Sequence, residues 1–135
     1  MKHKRSAAES AYLDWLSQWP CYVCLARWCA QNHQSVLGLS ADARAVTVPW
    51  LEAQCGRTQV AHIGIRGLGM KCPTWECMPL GVKHHARKFD GGGPESHHVI
   101  GRIWWQTVGL DRNEVFATLH DLYVRETGGA IGWTT

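Results

Sequence analysis

The stretch that decides the fold runs Thr58-Gln-Val-Ala-His62-Ile-Gly-Ile65, then Gly67-Leu-Gly69. It continues Cys72-Pro-Thr-Trp-Glu-Cys77-Met-Pro-Leu80-Gly-Val-Lys-His84-His85. Thr58–Ile65 is rich in β-branched residues and is bounded by Gly56 and by Gly67-Leu-Gly69, which predicts a strand entering a glycine-rich loop. Cys72–Leu80 reads as a loop and a short second strand. Val82–Phe89 reads as a short helix stopped by Asp90-Gly-Gly-Gly-Pro94. The expected core is therefore strand, loop, strand, helix, with His62 on the first strand and His84-His85 on the helix.

Outward from this core, helices are expected on both sides. Ser6-Ala-Ala-Glu9 has capping-box spacing, and Tyr12, Trp15, Leu16 and Trp19 recur at helical spacing. A helix over about 7–19 follows, stopped by Pro20. His98–Val108 predicts a helix closed by Gly109, with Trp104-Trp105 as core. Asp111-Arg-Asn-Glu114 opens a last helix with Val115, Leu119, Leu122 and Tyr123 on one face, ended by Gly128-Gly129. Residues 35–54 show few turn signals and mixed polarity. They read as an insertion or mobile arm with a short strand near Ala45–Val48.

The chain has 135 residues, 45% of them apolar and 19% charged, and a net charge of +3. Those values exclude a disordered tail, a coiled coil and a collagen-like fibre, and they fit one domain. We expect a single domain over 1–135: an N-terminal helix (1–20), a cysteine-containing knuckle and insertion (21–54), the core (55–108), and a C-terminal helix with a loose tail (109–135). Six Cys and eight His suggest either a metal site or disulfides. The basic start Met-Lys-His-Lys-Arg is not followed by an apolar segment, and no run of 18 apolar residues exists. The expectation is a cytoplasmic, metal-binding chain with no membrane segment, rather than a small secreted disulfide protein.

Cys21-Tyr-Val-Cys24 supplies two thiolates from one tight turn, which suits tetrahedral zinc. Cys29 and His33 could complete a self-contained knuckle, or Cys21 and Cys24 could share an ion with a distant segment. Neighbouring helical positions point about 100° apart. One of His84 and His85 can therefore face a structural site while the other faces a cleft. Basic residues cluster at Lys2–Arg5, Arg66–Lys71, Lys83–Lys88 and Arg102. Three of these groups flank the expected cleft, which favours a phosphate backbone as partner.

From Ala11 to about Tyr123 the chain resembles the HNH (ββα-metal, His-Me finger) endonucleases, closest to phage and prophage proteins related to the recombination-enhancement, RecA-dependent nucleases. The matching segments are Tyr12-Leu-Asp-Trp-Leu16 with Pro20-Cys-Tyr-Val-Cys24, Val60-Ala-His-Ile-Gly-Ile-Arg-Gly-Leu-Gly-Met-Lys-Cys72, and Pro79-Leu-Gly-Val-Lys-His-His85. Gly93-Pro-Glu-Ser-His-His-Val-Ile-Gly-Arg102 and Trp105 with Gly109-Leu-Asp111 follow in the family's order. The resemblance implies an α+β fold with a small ββα-metal, treble-clef-like core and flanking helices.

The resemblance also implies roles. His62 matches the general base, and a neutral imidazole at cellular pH suits that task. His85 and His98 match ligands of a catalytic divalent ion (Mg, Mn or Zn), with His97 the alternative to His98. Cys21, Cys24 and His84 match structural zinc ligands, the fourth coming from Cys72, Cys77, Cys55 or Cys29. Arg66, Lys71, Lys83, Lys88 and Arg102 would contact DNA, and a recombinase filament is a further expected partner. The implied activity is metal-dependent hydrolysis of DNA phosphodiesters. Three departures from the pattern support an alternative, a zinc-stabilised nucleic-acid-binding module without cleavage. Ala61 precedes the base where Asp or His is usual, Gly81 replaces the usual Cys, and the middle Asn or Asp has no clear match near Thr74 to Glu76.

Overall fold

The computed structural model describes residues 5–63 and 74–131. The chain is mixed α+β and mostly helical. In order come α1 (Ala7–Ser17), α2 (Tyr22–Gln31), α3 (Ala41–Cys55), β1 (Thr58–His62), β2 (Cys77–Gly81), α4 (Val82–His85), α5 (His97–Ile100), α6 (Trp104–Val108) and α7 (Arg112–Thr127). Short 3-10 turns at Thr74–Glu76, Lys88–Asp90 and Gly101–Ile103 link them. Among the described residues no helix is long and apolar enough to cross a membrane.

The expected caps form. Ser6 accepts from the Glu9 N–H while Glu9 reaches back to the Ser6 N–H, a complete capping box. Asp111 accepts from the Glu114 N–H at the start of α7. Each cap satisfies backbone donors that the first helical turn leaves without partners.

β1 and β2 pair antiparallel, with Thr58 opposite Gly81, Val60 opposite Pro79 and His62 opposite Cys77. Every residue of β2 is buried, because α1, α2 and α7 all pack on it. The core built there is aromatic. Tyr12 meets Trp75, His120 and Tyr123 with ring centroids 5.2, 5.8 and 5.0 Å apart, and Trp15 meets Trp19 at 5.1 Å. Tilted and edge-on pairs at such spacings add attraction beyond buried area.

Three expectations change. Residues 41–55 are a helix, not a mobile arm with a strand at Ala45–Val48. Ser40 caps it, and its inward face is Arg44, Thr47, Leu51 and Cys55. Pro49 lies inside this helix, where it removes one backbone donor. The His98–Val108 helix is broken into α5, a 3-10 turn and α6 at Gly101, whose φ is 63°. Likewise the helix expected over Val82–Phe89 ends at His85.

Arg44 fastens α3 to the rest of the molecule. Its guanidinium lies 4.0 Å from the Trp19 ring centroid and holds Glu126 of α7 through two hydrogen bonds of 2.9 and 2.5 Å. Arg44 is only 6% exposed, so removing either partner strands a buried charge. Arg44→Ala is expected to lower unfolding free energy by about 3 kcal/mol in urea denaturation. A loss below about 1 kcal/mol would show that the pair is no more than a surface contact.

Candidate metal centre

α2 begins at Cys21, its N-cap, so Cys21 and Cys24 occupy the first turn of a helix. The positive end of the helix dipole favours thiolates there. α3 ends on Cys55, and α4 carries His84. The donor atoms of Cys21, Cys24, Cys55 and His84 all lie within 4.8 Å of one another. His84 Nδ1 stands 3.4 Å from Cys21 Sγ, 3.7 Å from Cys24 Sγ and 3.1 Å from Cys55 Sγ. A tetrahedron with ordinary zinc–sulfur and zinc–nitrogen bonds has S···N edges of roughly 3.6 Å. The observed edges bracket that value, so this Cys3His set could hold a structural metal ion such as zinc.

Electrostatics agree with the geometry. Burial opposes charge on His84, yet hydrogen bonds with Cys21 and Cys55 outweigh it and raise the imidazole pKa to about 9. Burial also opposes a thiolate at Cys21, but hydrogen bonds with Cys24, Cys55 and His84 take it well below the ordinary thiol range. Cys24 moves up, because its hydrogen bonds with Cys21 and Cys55 stabilise it as a proton donor. A divalent cation would replace that shared proton network.

Cys55 is thus the fourth member of the set among the four cysteines named from sequence. Cys29 instead lies buried in the apolar core, and Cys77 does likewise in β2. His33 is not in the cluster, so the self-contained knuckle does not form. Cys72 lies outside the described residues, as do Arg66 and Lys71. Cys21, Cys24, Cys29 and Cys55 are not joined in disulfides.

Gly81 explains why the sulfur comes from Cys55. A Cβ built on Gly81 would overlap Cys55 Sγ and come within 2.9 Å of Cys55 Cβ. The position at which the resembled pattern carries Cys therefore faces the same volume that the Cys55 side chain fills. A side chain at 81 and the Cys55 side chain therefore compete for one space.

On the other side of α4 is a second cluster. His84 is 7% exposed, while His85 is half-buried and its ring lies 4.9 Å from that of His98. Burial first, then the neighbouring His98, His97 and His62, lower the His85 pKa to about 4. The ring is neutral and able to ligate at any ordinary assay pH. Gln59 Oε1 stands 2.6 Å from His85 Nδ1 and accepts from it when that nitrogen carries the proton, which leaves Nε2 for another partner. Sequence reasoning passed over Gln59. Only the pairing of β1 beside α4 reveals it.

His62 ends β1 and is exposed, whereas Ala61 beside it is fully buried. Neighbouring strand residues point to opposite faces, so β1 offers no second ligand next to His62. His97 packs edge-on against Trp104, with ring centroids 5.5 Å apart, and its Nδ1 is buried without a hydrogen-bond partner. His98, exposed and facing His85, is the better placed of that pair. Among the described residues no other group of three or more donors comes as close together as the Cys3His set. The histidine cluster is open rather than closed.

Lys83, Lys88 and Arg102 are all exposed, on α4 and on the two 3-10 turns beside the histidines. Trp104 is fully buried and donates to the Glu95 carbonyl, as a core residue should, while Trp105 is half-buried. Comparison of the chain with protein-family models, with curated proteins and with solved structures finds no match.

The purified chain should carry about one zinc, lost on Cys21→Ser or Cys55→Ser but kept in Cys29→Ser. Gly81→Cys alone should destabilise the fold by crowding Cys55. Cys55→Gly together with Gly81→Cys should recover much of the zinc. Metal analysis and thermal melts read all five variants, and zinc retained in Cys55→Ser would refute the fourth ligand.

Proposed function

We propose that the chain is a metal-dependent HNH-type endonuclease that hydrolyses DNA phosphodiester bonds, built on a ββα-metal core of β1, β2 and α4 with a structural zinc behind it. The observation that carries this reading is the division of labour between adjacent residues of α4. His84 turns into the Cys3His set, and His85 turns to His98 on the open side, with His62 among its electrostatic neighbours. A rigid buried centre thereby orients an exposed imidazole cluster.

In this reading His62 takes the proton from the attacking water, because it is exposed at the end of a paired strand. His85 and His98 offer ring nitrogens to a divalent cation, which when bound neutralises charge on the phosphate. Gln59 fixes the ring orientation of His85. Lys83, Lys88 and Arg102 hold the phosphate backbone on either side, an attraction that sets affinity without reading bases. The buried Ala61 favours the second reading, a zinc-stabilised nucleic-acid-binding module, since it supplies no additional ligand. A recombinase filament as a second partner remains part of the proposal by resemblance alone.

Plasmid nicking with Mg²⁺ or Mn²⁺, against the metal-free control, separates the two readings. His62→Ala should cut single-turnover nicking by roughly 100- to 10,000-fold at unchanged metal affinity. His85→Ala should also fail, but high Mn²⁺ should restore part of its rate. Wild-type rates in His62→Ala, or metal rescue of that variant alone, would reverse the assigned roles. Lys88→Glu and Arg102→Glu should weaken DNA binding for all sequences alike and flatten its dependence on salt.

A further inference from the structure

The segment between α4 and α5 ties the two histidine-bearing helices together, and it displays one side chain in an unusual way. Phe89 is 100% exposed, more than any other large apolar residue described. Single exposed apolar residues are common on surfaces and mean little by themselves. Here, however, the backbone beneath the ring is pinned. The Asp90 and Gly92 N–H groups both donate to the Arg87 carbonyl at 2.9 Å, and the Gly93 N–H donates to the Lys83 carbonyl at 3.0 Å. Arg87 pairs with Asp90 at 3.0 Å, and Ser96 Oγ donates to the Ala86 carbonyl. Gly91 takes a left-handed φ of 98°. Gly92 lies so close to the Ala86 backbone that a Cβ there would overlap the Ala86 carbonyl oxygen. The turn is held at both ends, and it points an aromatic ring into solvent four residues after His85.

Charge identifies the kind of partner. Within this segment Asp90 is paired with Arg87, and Glu95 is paired with Arg27 at 2.6 Å. Two exposed cations share the turn: Lys88 directly precedes the ring, and Lys83 stands at its foot, where its carbonyl accepts from the Gly93 N–H. An exposed aromatic ring on a turn that also carries two exposed cations suits a polyanion that itself carries aromatic faces. A protein partner would ask for a broader apolar patch than one ring.

We propose that Phe89 is a base-stacking residue, and that the turn carrying it seats one base of single-stranded DNA beside the His62, His85 and His98 cluster. This deepens the nucleic-acid reading above and rests on it. Stacking tolerates any base, because each presents a π-face, so Phe89 contributes affinity and register rather than sequence preference. It is a positioning residue: it holds the strand while other groups meet the phosphate.

The test measures binding, not cleavage. Fluorescence anisotropy with a labelled 20-residue oligothymidylate, and with an abasic strand of the same length, is read in buffer without Mg²⁺ or Mn²⁺. Phe89→Ala should weaken binding to the oligothymidylate by roughly 5- to 150-fold and leave the abasic strand unaffected. Phe89→Trp should keep wild-type affinity, and Phe89→Leu should behave like Phe89→Ala, because a greasy side chain without a ring does not stack. A strand carrying 2-aminopurine should show quenching with the wild type and with Phe89→Trp alone. Equal losses on both strands, no loss at all, or no DNA binding would overturn the proposal. Stacking without any nicking would leave it standing and remove the nuclease, whereas nicking by a protein whose single-strand binding does not depend on Phe89 would do the reverse.

Discussion

Everything near the candidate site depends on three helix ends meeting at one point. Cys21 and Cys24 open α2, Cys55 closes α3, and His84 sits in a four-residue helix too short to be stable alone. Cys21 and Cys24 are 63 and 60 residues from His84 in sequence, and Cys55 is 29 away. Closing loops of that length costs chain entropy that apolar packing around four polar donors repays poorly. An ion that binds only the assembled set would supply the difference, since its binding free energy would also be folding free energy. α4 then has a fixed rotation about its axis, and the direction of His85 follows from the position of His84.

A second anchor lies at the far end of α3. Arg44, between the Trp19 ring and the Glu126 carboxylate, holds the start of that helix, while Cys55 holds its end. A helix with Pro49 in its interior and a β-branched run at Val46–Val48 has poor intrinsic propensity. Tertiary contacts at its two ends override that preference. This is also why the segment misleads as sequence. Its buried stripe has perfect helical spacing, but it consists of Arg44, Thr47, Leu51 and Cys55, with one strongly apolar member. Val46 and Trp50, which look like core, are 78% and 52% exposed.

The rest of the fold was legible where ordinary rules apply. α1 and α7 carry polar N-caps and apolar stripes, and both form as the spacing predicts. A first strand carrying His62, the second strand and the split of His84 from His85 follow from β-branched content, turn residues and helical geometry, although the strand ends at His62 rather than running on to Ile65. Cys55 was one name among four, because no spacing rule connects a cysteine at a helix end to a Cys-x-x-Cys pair more than 30 residues earlier. Gln59 left no signal at all: a polar residue in a short strand gains meaning only from the helix beside it.

Gly81 and Cys55 are joined by such a connection in three dimensions. From sequence, Gly81 looks like a lost ligand and so argues for a degenerate site. In three dimensions the absent side chain at 81 and the present one at 55 meet in one volume, with only 3.0 Å between a Gly81 Cβ and the Cys55 carbonyl oxygen. The glycine is required by the cysteine. A position that looks like a missing side chain in the sequence is therefore a steric requirement of the cysteine it faces, which sits on a helix that the sequence concealed.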